Sequence, residues 1–157
     1  MKLASLLDRE HIVLQMRADQ HWPAIEELVE HMVEADGLGE TCQVTILDAL
    51  REREEQISTG IGSGVAIPHA FSDEIEQVRM VFGRSIKGVE FEAIDNAPVH
   101  FVILFVVPKK ECHQHLHNLA AVSKLMMNCE IRRQLHAAET RREILDILNS
   151  SPSSLSR

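Results

Sequence analysis

Two periods alternate in the apolar positions along the chain. Over residues 23–35, Ile25, Leu28, Val29, Met32 and Val33 recur at i, i+3, i+4, i+7 and i+8, one face of a helix. Pro23 suits its first turn and Gly37 its exit. A second helix is expected from Thr41 to Glu54, with Val44, Leu47 and Leu50 on one face. A short helix near Leu3–Leu7 and a strand over Ile12 to Met16 precede these. The period then shortens, and Val65–Ile67, Val78–Ile86 and Val99–Val107 read as strands. The last is apolar on nearly every residue, which marks a central strand buried on both faces. Phe91 to Pro98 reads as a turn-rich connection. Helical spacing returns over 113–128 through Leu116, Leu119, Ala120, Ser123 and Met127, followed by short helices near 130–137 and 140–149. Helices on both sides of the strands in sequence predict a mixed α/β fold: a central mixed β-sheet flanked by helices on both faces.

Composition narrows the picture without redirecting it. A chain of 157 residues suits one domain, here 1–149, with the Ser-rich segment 150–157 as a frayed, disordered tail. Aromatics are 4% of the residues, so the core must be aliphatic. The net charge of −8 argues against a nucleic-acid partner, since phosphate backbones recruit dense Lys/Arg patches. The longest apolar run, Phe101 to Val107, falls far below the roughly 18–20 residues that span a bilayer. Met1 to Ser5 lacks the apolar core of a secretory signal. Cys42, Cys112 and Cys129 are odd in number and scattered, so no disulfide framework is expected and a reducing cytoplasm is the default.

The chemistry concentrates in Ser58-Thr59-Gly60-Ile61-Gly62-Ser63-Gly64-Val65-Ala66-Ile67-Pro68-His69. Glycine lets another backbone or a ligand approach closely, and successive free N–H groups in such a turn can hold an anion. Pro68 has a fixed φ and no N–H, so it ends regular pairing and restricts how His69 is presented. The segment is no nucleotide P-loop, because the Gly-Lys-Ser/Thr ending is missing. It is no dinucleotide fingerprint either, because its glycines lead into a strand rather than open a helix. A tight turn feeding an edge strand, with His69 as an ordinary surface residue, would satisfy the same pattern.

A second cluster, Cys112-His113-Gln114-His115-Leu116-His117, opens the helix after the central strand. His113 and His117 share a helix face at i, i+4, and His115 points elsewhere. An imidazole at a helix N-terminus beside the end of a buried strand stands where ligand sites collect and where anions are favoured. A polar first turn on a surface helix is the plainer alternative. Cys112, His113 and His117 could also offer metal ligands, though their spacing matches no zinc motif.

The first segment resembles the active-site signature of the enzyme IIA domains of the fructose/mannitol class, which belong to the bacterial phosphoenolpyruvate-dependent phosphotransferase system. Phe91-Glu92-Ala93-Ile94-Asp95-Asn96-Ala97-Pro98-Val99 and His115-Leu116-His117-Asn118-Leu119 resemble two further blocks of that family. The resemblance runs from Leu3 to Leu148. It implies a phosphotransferase with a phosphohistidine intermediate: His69 carries the phosphoryl group, His115 supports it, and Arg53, before the Ser-Thr-Gly, joins the site. Thr59, Gly60, Gly62 and Gly64 are the implied phosphate-binding positions. The implied donor is the phosphocarrier protein HPr or a nitrogen-related paralogue. No metal or cofactor is needed, because both ends of the transfer are protein imidazoles. Read as plain sequence, Arg53 is a solvated charge within Arg51-Glu52-Arg53-Glu54-Glu55.

The blocks look nearest the nitrogen-regulatory branch, whose phosphorylation state controls partner proteins. Three readings therefore stand: a regulatory phosphocarrier, a sugar-transport IIA that passes phosphate to a fructose/mannitol-type IIB, and a metal-binding protein built on the Cys112–His117 cluster.

Overall fold

A computed structural model describes residues 6–56 and 58–150. Most of the expected Leu3–Leu7 helix and nearly all of the expected 150–157 tail lie outside the described residues. In chain order the elements are β1 (Ile12–Val13), α1 (His21–Asp36), α2 (Glu40–Gln56), β2 (Gly60–Gly62), β3 (Val65–Ala66), β4 (His69–Ser72), β5 (Arg79–Val89), β6 (Val99–Pro108), α3 (Cys112–Met126), α4 (Cys129–Ala137) and α5 (Arg141–Ser150).

One mixed sheet runs β1-β5-β6-β3-β2, with β4 also paired to β6. β5 and β6 are antiparallel, whereas β3 and β4 both run parallel to β6. β6 is central, as its unbroken apolar run requires. Val102, Leu104 and Val106 join the core under α1 and α2, with Ile25, Leu28, Ile46 and Leu50. Phe101, Ile103, Phe105 and Val107 join the opposite core under α3, α4 and α5, with Val122, Leu125, Leu135, Ile144 and Leu148. Alternate residues of a strand point to opposite faces, so one apolar strand feeds two cores. Helices therefore cover both faces of the sheet.

β3 and β4 form one line along β6. Ala66 stands opposite Val102 and His69 opposite Phe105, three residues later on each strand. Ile67 and Pro68 interrupt that line: the Ile67 N–H donates to Thr59 O at 3.0 Å, and Pro68 offers only its carbonyl, which accepts from Phe105 N at 3.0 Å. The interruption sets His69 at the start of β4, beside the C-terminal half of β6 and the entry to α3.

Several elements differ from expectation. β1 pairs over two residues, and a backbone bond from Met16 N to Arg84 O at 2.8 Å continues the contact. The buried face of α2 is Cys42, Ile46 and Leu50, while Val44 is 57% exposed. β2 and β4 are strands that the hydropathy pattern did not indicate. Arg84 is buried and caps the end of α4 with bonds to the carbonyls of Leu135 at 2.9 Å and of Ala138, while its Nε donates to Leu14 O at 3.1 Å. Those last helical carbonyls have no intrahelical partner, so the guanidinium satisfies them.

Candidate active site

Sequence and pairing fix the His69 ring chemically as well as spatially. His69 Nδ1 lies 2.9 Å from Ile67 O. A carbonyl only accepts, so Nδ1 carries the proton and Nε2 keeps its lone pair. Arg53 Nε donates to that Nε2 at 3.4 Å. Burial, and after it the Arg53 charge, push the His69 pKa below its usual 6.5, against the pull of the Ile67 carbonyl and Glu54. The ring is therefore neutral at neutral pH, with a nucleophilic nitrogen facing a guanidinium.

His115 meets it from α3. It is 1% exposed, whereas His113 and His117 on the same helix are exposed, the split that helical spacing dictates. Its ring centroid lies 5.3 Å from that of His69, 5.6 Å from Phe71 and 5.4 Å from Phe105. Among the described residues neither ring nitrogen has a hydrogen-bond partner. Burial, and after it His69, push the His115 pKa down to about 4. A neutral imidazole keeps one N–H, so His115 can donate to an anion arriving at His69 without adding charge.

Arg53, His69, Thr59 and Gly60 line one cavity of about 590 Å³ with Ile67, Leu119 and Ser123. Arg53 thus lines the cavity beside His69 and is not simply one of a solvated run of charges. Thr59 is buried, and its hydroxyl and its amide both donate to Glu54, the amide at 3.3 Å, so neither donor is left for an anion. Gly60 is glycine for close packing: a Cβ there would stand 2.6 Å from Ala93 Cβ and 2.8 Å from Ala93 Cα. Gly64 has φ +78°, and its carbonyl accepts from His100 N and Phe101 N at 2.8 and 3.0 Å. Gly62 and Gly64 sit at the turn of the β2–β3 hairpin and do not line the cavity. The glycine pattern thus shapes a hairpin against residues 93–100.

Two further residues carry no mark in the sequence pattern. Glu54, adjacent to Arg53, is almost buried and receives His21 Nε2 at 2.6 Å as well as Thr59. His21 stacks on Phe91 with ring centroids 4.1 Å apart. His21 and Glu54 are 33 residues apart in sequence, so no local pattern could disclose the contact. The metal alternative does not assemble: Cys112 is exposed, and no three metal-ligating side chains converge among the described residues. Among those residues no helix is long and apolar enough to cross a membrane.

Comparison with known proteins places this geometry in a family. Residues 5–151 match the family described as "Phosphoenolpyruvate-dependent sugar phosphotransferase system, EIIA 2". The fructose-specific EIIABC component of the phosphotransferase system of Bacillus subtilis is 36% identical over 149 residues, 95% of this chain but only 23% of that protein's length. A nitrogen regulatory protein of Klebsiella oxytoca is 33% identical over 155 residues, 98% of this chain and 93% of that protein. The crystal structure of nitrogen regulatory protein IIA-Ntr from Neisseria meningitidis superposes with a TM-score of 0.85 at 29% identity, covering 93% of this chain and 98% of that one. The chain belongs to the EIIA type 2 family of the phosphoenolpyruvate-dependent sugar phosphotransferase system.

Proposed function

We propose that this chain is a phosphohistidine carrier that takes its phosphoryl group on His69 Nε2 from a phosphohistidine of HPr or a nitrogen-related paralogue. The observation that carries this reading is the tautomer: the Ile67 carbonyl holds the proton on Nδ1 and leaves the Nε2 lone pair at the cavity beside Arg53. In the transfer, Nε2 attacks phosphorus, the bond from phosphorus to the donor's ring nitrogen breaks, and the donor imidazole leaves with that electron pair. Charge builds on the equatorial phosphoryl oxygens, where positioning and electrostatics supply most of the catalysis. Arg53 offers a fixed charge and several donors, and His115 offers one N–H. Thr59, Gly60, Gly62 and Gly64 shape the rim; of these, Thr59 and Gly60 border the cavity.

The rim suits a protein partner. Ile61, Phe71, Ile94 and Leu116 are exposed apolar residues on the elements that form the site, and Ile94 is 79% exposed. The net charge of −8 suits a basic docking face. The onward partner is a regulated protein in this reading, because the likeness to nitrogen regulatory proteins extends nearly end to end in both chains. Transfer to a fructose/mannitol-type IIB is the second reading, favoured by the 36% identity to a fructose-specific protein. Either use is cytoplasmic.

The test mixes the protein with phosphoenolpyruvate, enzyme I and HPr or its paralogue. Acid-labile label is expected on wild type and none on His69→Ala, with unchanged circular dichroism. Label retained on His69→Ala sinks the assignment. Adding a fructose-type IIB then separates the branches, since a sugar-transport protein discharges to it and a regulatory one does not.

A further inference from the structure

The cavity that holds His69 is built on a junction of four chain segments, and one carboxylate ties three of them. Glu54 lies in the last turn of α2, accepts from His21 at the first turn of α1, and accepts both the hydroxyl and the amide of Thr59 ahead of β2. Phe91, near the start of the β5–β6 connection, completes the junction by stacking on His21 and by accepting from Ser58 Oγ at 3.0 Å through its backbone carbonyl. Helix ends fray because their last carbonyls lack partners. Arg53 stands one residue before Glu54 in that same last turn. Successive helical residues diverge by about 100°, so with Glu54 fixed toward Thr59 and His21, Arg53 is turned to the other side, where its Nε reaches His69.

We propose that Glu54, held by His21, is a positioning residue for phosphoryl transfer: it locks the last turn of α2 to the Thr59 loop and so aims Arg53 at His69 Nε2. The inference rests on the phosphocarrier reading above for its kinetic consequence, but not for its structural one. Among the described residues Glu54 bonds to His21 and Thr59 and not to His69. Its charge does act on His69 at a distance, so the test must separate placement from charge.

Glu54→Asp keeps the charge and withdraws the carboxylate by one methylene. Glu54→Gln keeps the length and sets an amide against the Thr59 donors. His21→Phe keeps the stack on Phe91 and removes the donor. His21→Gln places an N–H near the position of the lost Nε2. Two measurements are made on each full-length variant. One is the rate of phosphoryl transfer from phosphorylated HPr or its paralogue as a function of carrier concentration. The other is exchange of the Arg53 Nε–H with water, followed by NMR, which needs no phosphorylation.

Glu54→Asp and Glu54→Gln are both expected to lower the maximal rate by about 10- to 100-fold, with the half-saturating carrier concentration within about twofold of wild type. His21→Phe should lose about threefold, and His21→Gln should recover most of that loss. Arg53 Nε–H exchange should accelerate in the same order. Slow exchange in Glu54→Asp, at the wild-type rate, overturns the proposal even if phosphorylation is lost for another reason. A rate loss in Glu54→Gln but not in Glu54→Asp would assign the effect to charge and overturn it too. If wild type takes no label, the carrier reading fails, and the exchange data still decide whether Glu54 aims Arg53. Should Glu54→Gln not fold, the His21→Phe and His21→Gln pair reads the same coupling from the other side.

Discussion

Two histidines, His115 and His11, each bridge elements of the fold, and their surroundings are opposite. His115 stands among the rings of His69, Phe71 and Phe105, and among the described residues neither of its nitrogens has a partner. His11 stands between two carboxylates, with Nδ1 2.8 Å from Asp8 and Nε2 2.7 Å from Asp36. Burial pushes His115 down to about 4. Burial also pulls on His11, but the hydrogen bonds to Asp36 and Asp8 and their charges outweigh it, and its pKa rises. The fold leaves unsatisfied the imidazole that packs beside His69 and saturates the one that only joins segments. An unpartnered buried donor is costly in the resting protein and useful only when an anion arrives.

His115→Phe breaks this comparison most strongly. Phenylalanine preserves the ring packing and removes both nitrogens. The maximal rate of phosphoryl transfer should fall by about 100-fold, the loss expected on removing one donor from developing charge. Stability at pH 7 should hold or rise, because two unpartnered buried polar atoms disappear. Wild-type transfer in a destabilised variant would reverse the comparison and make His115 the structural residue. Chemical denaturation paired with single-turnover transfer distinguishes the two.

The same ring should govern stability in acid. Its folded pKa, about 4, lies below the unfolded 6.5, so between those values the unfolded chain binds a proton that the folded one refuses. Stability is therefore lost as pH falls below 6.5, and this contribution levels off below about 4. Between pH 7 and pH 5 the loss from His115 is about 2 kcal/mol. His115→Phe should flatten that stretch of the stability curve by this amount, measured by urea unfolding at several pH values. An unchanged slope would mean that the ring is solvated when protonated.

Much of this arrangement was legible beforehand, and what was not has physical causes. The unbroken apolar run of β6 and the i, i+3, i+4 stripe of α1 mark their places because burial alone decides those positions. The same logic separated His115 from His113 and His117 on α3. It failed on β4, where Ser72 is buried and Phe71 is 37% exposed, because Phe71 packs edge-on against His115 from a neighbouring element. It failed on β2, whose Gly-Ile-Gly has no hydropathy period and whose pairing with β3 is irregular between Gly60 and Gly62. Val44 satisfied the helical stripe of α2, yet the core lies under Cys42, Ile46 and Leu50. The glycines suggested an anion cradle, whereas Gly60 answers to the Ala93 backbone. Glu54 and His21 look like ordinary surface residues until α1 and α2 are brought together.

The smallest effect lies at His11 and has the opposite sign with pH. Asp36 is the last residue of α1, where a carboxylate meets the negative end of the helix dipole. His11 at 2.7 Å and Arg79 at 3.4 Å offset that cost, and both contacts tie α1 to neighbouring segments. Because the folded pKa of His11 is raised, its contribution is fully present below pH 6.5 and is lost as pH rises through the folded value. His11→Gln keeps one donor and removes the charge. It should cost about 1 kcal/mol at pH 5.5, in the range of a partly exposed ion pair, and the difference from wild type should narrow at pH 8.5. Urea unfolding at those two pH values measures it. A deficit that grows toward pH 8.5 would show that His11 holds Asp8 and Asp36 as a neutral donor. The contrast with His115 would then rest on hydrogen bonding alone rather than on charge.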